Sequence, residues 1–309
     1  MEVKRSYEMR VDKASTIGGE RQAYERIPKH RPRLAGLRVL TLNLWQRYGV
    51  WTDRRSVLMD GFRALQPDLV AFQESIKNDE YDQAADLLGP TFNVVHQKSR
   101  DPNGMGISIA SRWPLGEVHE VNLNLTSRTA GFPCGALVAE VHAPNSVGPL
   151  LFVNHFPHWQ LNFEYERELQ TVAVARFVED RVGRSKEQVV LVGDLDADPD
   201  AASVRFLSGR QSLGGMSVCY RNAWESTHPE KLGHTFTPDN PLVRDEVVKD
   251  MRPFRDWPFR RIDHIFVRFG EHGGRALDIR ACARIFDESI DGVWASDHFG
   301  LIADLVKSF

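Results

Sequence analysis

Cysteine is scarce: Cys134, Cys219 and Cys282 are the three in 309 residues, odd in number and far apart. That spacing supports neither a disulfide framework nor a zinc site built on paired Cys-x-x-Cys. No apolar run is long enough to cross a bilayer, and residues 1–36 hold no stretch like the hydrophobic region of a signal peptide. A cytoplasmic protein is the expectation. An excess of positive charge is also missing. With 39 Lys and Arg against 42 Asp and Glu, the formal charge is -3, which excludes binding of nucleic acid through bulk charge and leaves room for a local basic groove. Short repeats and low-complexity tracts are absent too, which argues against a solenoid or two halves on a linker.

What is there is ordinary globular material, 42% hydrophobic and 26% charged, enough for a sizeable core. Residues 1–36 are rich in Arg, Lys and Glu without a clear period and read as a flexible or loosely docked arm. From Leu37 the character changes, and 37–309 reads as one domain. The run Leu37, Val39, Leu40, Leu42 predicts a strand that ends at Asn43, and Asp53 to Leu65 predicts a helix. Asp68 to Glu74 is a second apolar run that stops at an acid. Further strands are predicted at 92–97, 105–110, 135–142, 150–155, 188–193, 262–268 and 299–306. A long helix over 162–182 follows from Leu169, Val172, Ala173 and Phe177 recurring on one face. The stretch 208–261 is polar and long, and reads as a functional loop system. Many strands and few helices make a sheet-rich α/β protein.

Chemistry gathers where apolar runs stop. In Val189-Val-Leu-Val-Gly-Asp194-Leu-Asp196-Ala-Asp198-Pro-Asp200 a buried-strand pattern runs into four acids. Clustered carboxylates repel one another, and a hard divalent cation that prefers oxygen ligands is the usual compensation. Asp198 and Asp200 read instead as an acidic loop, with Asp198 as the N-cap of a helix starting near Pro199. Trp294-Ala-Ser-Asp297-His298 precedes another strand; Asp263 is a single acid amid apolar residues; Leu151-Phe-Val-Asn154-His155 ends in an amide and an imidazole. A lone buried Asp is costly unless paired, so Asp263 is expected to orient a histidine or ligand.

These residues resemble the endonuclease/exonuclease/phosphatase superfamily, the deoxyribonuclease I-like fold, from Leu37 to the end of the chain. Leu42-Asn43, Gln73-Glu74, Gly106-Ile-Ser-Ile-Ala-Ser-Arg112-Trp-Pro114, Asn154-His155, Gly193-Asp194-Leu-Asp196, Ile262-Asp263-His264 and Ser296-Asp297-His298 follow one another in family order. Each motif is short; their joint order carries the resemblance. One departure is clear: Asp196 stands where the family usually has an Asn amide that contacts phosphate. An ionised carboxylate cannot donate there, so it must be protonated, act through a second cation or point elsewhere.

The resemblance implies a four-layer α/β/β/α sandwich of two packed mixed β-sheets flanked by helices, and divalent-metal-dependent phosphoester hydrolysis. Glu74, Asn43 and Asp297 are expected to hold Mg²⁺, with Mn²⁺ as a substitute. Asp194 would activate water, His298 and His155 would contact phosphoryl oxygens, Asp263 would hold the His298 ring, and Asp196 would sit in the same catalytic group. Arg128, Arg260, Arg261, Trp45 and Trp159 are expected against substrate, with Trp51 and His158 as further wall candidates. The interleaved arginines and aromatics of 251–261 favour nucleic acid or a nucleotide, although a phospholipid or sphingomyelin ester fits the same composition. An inositol phosphate phosphatase is a further alternative, disfavoured by Arg260-Arg-Ile-Asp263 in place of a Trp-Cys-Asp-Arg signature. A non-catalytic phospho-ligand binder on the same fold is the alternative of another class. A monomer without integral membrane association is expected.

Overall fold

The computed structural model describes residues 36–185, 188–245, 254, 256–270 and 277–308. The expected arm lies outside them, save Gly36, which opens the first strand. One sheet begins with β1 (Gly36–Asn43), which pairs in parallel with β2 (Leu69–Ile76). Helix α1 (Trp51–Leu65) makes the crossover between them. Next come the short helix α2 (Gln83–Leu88), capped by the Asp82 carboxylate on the Ala85 amide, and the antiparallel strands β3 (Asn93–His96) and β4 (Met105–Ser111). The chain then leaves for the second sheet through β5 (Leu115–Asn122), β6 (Gly135–Val141) and β7 (Leu150–Phe156). Helix α3 (Glu164–Ser185) carries it from β7 to the parallel β8 (Gln188–Asp194).

After α4 (Ala202–Leu207), the polar stretch holds β9 (Tyr220–Asn222), α5 (Ala223–Thr227) and α6 (Pro241–Arg244). Strand β10 (Asp263–Arg268) rejoins the second sheet; β11 (Leu277–Ile285) and β12 (Gly300–Lys307) complete the first. The two six-stranded orders are β11-β12-β1-β2-β4-β3 and β5-β6-β7-β8-β10-β9.

Three apolar layers hold four layers of secondary structure. Between the sheets lie Val39, Ala71, Ile107 and Ile109 from one side and Leu137, Phe152, Val190 and Val192 from the other. Residues one position along face the opposite way, as a period of two requires. Leu40, Leu42, Val70 and Phe72 therefore pack on Leu58, Phe62 and Leu65 of α1, and Leu151, Val153 and Leu191 pack on Val174, Ala175 and Val178 of α3. Both parallel pairs point their C-terminal ends toward one edge of the sandwich, so Asn43, Glu74 and Asp194 emerge together there.

Asp198 does not cap a helix as expected. Helix α4 starts three residues beyond Pro199, at Ala202, with Ala201 at its N-cap, and the Asp198 carboxylate accepts instead from Arg260 Nε at 3.1 Å and the Arg261 amide at 2.9 Å. No helix among the described residues is long and apolar enough to cross a membrane.

Candidate active site

A cavity of about 280 Å³ opens at this edge, lined by Asn43, Trp45, Glu74, Trp159, Asp194, Asp196, Asp297 and His298 among others. Antiparallel pairing sets Asp263 of β10 directly opposite Asp194 of β8. The segment before β12 places Asp297 and His298 across from them, held by Asn240 Nδ2, which donates to the carbonyls of Ser296 at 2.8 Å and Asp297 at 3.1 Å. Ser296 Oγ in turn donates to the Asn43 carbonyl at 2.7 Å, tying that segment to the end of β1.

Within the cavity the Asn43 amide lies between two acids, donating to Asp194 Oδ2 at 2.9 Å and to Glu74 Oε1 at 3.3 Å. Its own oxygen accepts from the Trp45 amide at 2.9 Å, so Asn43 is an orienting group for both carboxylates. Gln46 Nε2 donates to the other Glu74 oxygen at 3.3 Å. His298 Nδ1 is 2.9 Å from Asp263 Oδ2, and its Nε2 is 3.8 Å from Asp194 Oδ2. Thr235 Oγ1 receives the amides of Ile262 and Asp263, both at 3.1 Å, and fixes the start of β10.

The backbone is strained where these side chains leave it. Trp45, Gln46, Glu74 and Asp196 all have φ near +50°, and the β2–β4 register shifts between Phe72 and Ser75, turning Glu74 into the cavity. Non-glycine residues in this region are uncommon and concentrate at functional sites. Gly193, just before Asp194, has φ +153°, and a Cβ there would lie 1.9 Å from the His155 carbonyl oxygen. That is one physical reason for glycine before the acid.

Charge is crowded here. Burial raises the carboxyl groups of Asp194 and Asp196, with neighbouring acids adding to it, and takes Asp297 up to about 6. Glu74 is raised for the same reason. Burial disfavours the His298 imidazolium, but the carboxylates of Asp263 and Asp194 outweigh it and hold the ring well above its ordinary value. Four acids facing one cavity with one imidazolium among them form a donor set of hard oxygens that fits a divalent cation. Ligand atoms of Asp194, Asp263 and His298 also lie within 4.8 Å of one another. There the Asp263 to His298 separation of 2.9 Å is a hydrogen bond, so within that trio His298 is tied to Asp263 and turns its other nitrogen toward Asp194.

Not every expected residue reaches the cavity. His155 is completely buried on the helix side of β7, its Nε2 3.2 Å from Thr171 Oγ1, and burial lowers it to about 3. A neutral ring facing α3 has no path to a phosphoryl oxygen. The neighbouring Asn154 points the other way, accepting from Gln73 Nε2 at 2.7 Å and linking the two sheets. Asp263 does not line the cavity itself but stands behind His298, in contact with its Nδ1. Arg128 pairs with Glu166 at 3.0 Å and lies over the Phe163 ring; Arg261 pairs with Glu225 at 2.9 Å. Arg260 is spent on Asp198 and on the Asp196 carbonyl. Trp51 stacks under Arg54, and His158 against Phe163, 4.3 Å between centroids.

Sequence reasoning missed Gln46, Tyr48, Met105, Phe132 and Phe236, all of which line the cavity. It also missed Arg54, fully buried in α1 and donating to the carbonyls of Leu44, Tyr48 and Ala295. Phe254 and Trp257 belong to the aromatic run noted above and do line it.

The chain belongs to the Endonuclease/Exonuclease/phosphatase family, which it matches over residues 40–298. Members of that family are generally phosphoester hydrolases. A Drosophila melanogaster protein named "Putative neutral sphingomyelinase" is 24% identical over 294 residues, 88% of this chain and 61% of that protein. The chain thus spans about three fifths of that relative's length. The structure of D. rerio TDP2 complexed with single strand DNA product superposes with a TM-score of 0.64 at 20% identity, covering 87% of this chain and 98% of that one. The human Nocturnin catalytic domain with bound sulfate anion gives 0.64 at 16% identity, covering 88% and 94%. At these identities the likeness shows the shared fold.

Proposed function

We infer that the chain hydrolyses a phosphodiester in a reaction that depends on a divalent metal. The alignment of Asp263, His298 and Asp194 at the mouth of an acid-lined cavity carries this reading. Glu74 and Asp297 would hold Mg²⁺, or Mn²⁺ in its place, supplying charge neutralisation at the phosphoryl oxygens. Asp194 accepts the proton of the attacking water, its carboxylate fixed by the Asn43 amide and made more basic by burial. His298, protonated, presents Nε2 to the phosphoryl group while Nδ1 stays tied to Asp263. Asn43 keeps Asp194 and Glu74 at fixed separation across the reacting centre.

The test is turnover of bis-p-nitrophenyl phosphate with Mg²⁺ or Mn²⁺. Asp194→Asn and His298→Ala abolish it without unfolding the protein, and EDTA does so reversibly. Undiminished turnover in either variant overturns the assignment; no turnover of any phosphoester by the wild type favours a non-catalytic binder on the same fold.

A nucleic-acid or nucleotide ester is supported by the likeness to TDP2, solved with a single-stranded DNA product. A lipid phosphodiester is a second reading. It is supported by the sphingomyelinase-named relative and by the engagement of Arg128, Arg260 and Arg261 with acids of the protein itself.

A further inference from the structure

Resting on the hydrolytic reading above, we propose that the cavity selects a phosphodiester that bears one phosphate and a cationic ammonium substituent. Asp196 is the first observation. Glu74 receives the amides of Asn43 and Gln46, Asp194 receives those of Asn43 and of the Asp196 backbone, and Asp297 Oδ1 lies 3.2 Å from Ser296 Oγ, whose single hydrogen is shared with the nearer Asn43 carbonyl. No donor among the described residues is hydrogen-bonded to the Asp196 carboxylate, which lines the same cavity. A cation at Glu74 and Asp297 and the imidazolium at Asp194 compensate the other acids; the Asp196 carboxyl, which burial pushes toward its neutral form, is left to ionise against a cationic group that enters beside it.

The second observation is a continuous aromatic wall that begins at the reacting centre. Phe236 lies 4.9 Å from the His298 ring, Phe254 and Trp257 lie 5.8 and 6.0 Å from Phe236, and Trp159 stacks 6.2 Å from Trp257. All four rings line the cavity, and Trp159 is 36% exposed at its mouth. A substituent on the phosphate therefore meets aromatic faces and a carboxyl group that no hydrogen-bond donor among the described residues occupies. That combination attracts an ammonium, through the ring quadrupole and by direct charge. A second phosphate would meet Asp196 instead, because Arg128, Arg260 and Arg261 are already ion-paired.

The experiment compares two esters that differ in charge alone: p-nitrophenyl phosphorylcholine and its uncharged isostere, p-nitrophenyl 3,3-dimethylbutyl phosphate, at saturating Mg²⁺. The wild type is expected to favour the choline ester roughly tenfold in kcat/KM, and Asp196→Asn or Trp257→Leu to bring that ratio to about one. A wild-type ratio near one overturns the proposal, as does a ratio that survives both substitutions. If Asp196→Asn lowers turnover of both esters equally and shifts the Mg²⁺ dependence, Asp196 holds a second cation and the proposal fails.

Binding separates this outcome from failure of the hydrolytic reading. Phosphocholine and 3,3-dimethylbutyl phosphate are titrated against the fluorescence of the tryptophans in the wall, in the wild type and in both variants. Tighter binding of phosphocholine without turnover of either ester sinks hydrolysis and keeps the selectivity. Equal binding of the two removes the selectivity whatever the turnover.

Discussion

Asp263 Oδ2 and His298 Nδ1 lie 2.9 Å apart, both buried, on residues 35 positions apart in sequence that different sheets bring together. The pairing fixes the ring so that Nε2 faces the cavity and Asp194. Asp263→Asn preserves shape and removes the charge that keeps the imidazolium. We expect kcat to fall roughly 10–100-fold with KM nearly unchanged. The His298 titration followed by NMR should move to lower pH in the same variant; an unmoved titration would show that Asp194 alone sets the ring's protonation.

Arg54 illustrates a buried charge that serves the site from behind. Its guanidinium donates to carbonyls on both sides of the cavity, Leu44 and Tyr48 after β1 and Ala295 before Asp297, and burial lowers it to about 10. Arg54→Met leaves those three carbonyls without their donor. The expected cost is about 3 kcal/mol or more, read as a drop in the denaturant midpoint. A midpoint within experimental error of the wild type would mean that water replaces the guanidinium.

Gly193→Ala is the sharpest steric test. The added Cβ would meet the His155 carbonyl oxygen at 1.9 Å, in a backbone conformation that side chains rarely adopt. We expect a loss of stability above about 4 kcal/mol, with most of the protein insoluble on expression. Soluble protein with wild-type melting would require β8 to run differently from the register described above.

Much of this site was legible because each functional acid or amide ends an apolar run. Asn43 and Asp194 close buried strands, Glu74 follows the apolar run of β2 at its register shift, and Asp263 is the acid that opens β10 before an otherwise apolar stretch. Three strands escaped reading: β5, Leu-Gly-Glu-Val-His-Glu-Val-Asn, and β11, both with polar residues set among the apolar ones, and the three-residue β9, too short to show a period within the polar stretch. Parity explains His155. Asn154 and His155 are adjacent, so one must face the partner sheet and the other helix α3, and nothing in the pair itself says which. Arg54 looks like any polar residue of a surface helix until the loops that cover it are in place. Phe236 was hidden for a similar reason: it sits in a polar stretch and reaches His298 through bridges to Arg260 and His298 themselves.

Metal and proton should compete at the acids, and the sign follows from their raised values. Asp196 is pushed up to about 7 and Asp297 to about 6, both above the ordinary value of 3.8. Between that value and neutrality these two carboxyl groups hold more protons in the folded chain than in the unfolded one, so their own contribution to the stability of the metal-free protein falls as pH rises through this window, whereas buried His155 and His264, lowered to about 3, contribute in the opposite sense below their ordinary value. Saturating Mg²⁺ should therefore raise Tm more at about pH 8 than at about pH 5, where protons already neutralise the acids. Asp196→Asn, which removes one of the raised groups, should by itself raise the metal-free Tm at about pH 8 by at least about 2 °C and have little effect at about pH 5. Calorimetry at the two pH values, with and without Mg²⁺, reads all four quantities. A variant less stable than wild type at the higher pH would show that the Asp196 carboxylate is stabilised in the folded protein, and would remove the unoccupied carboxyl group on which its selectivity for an ammonium group depends.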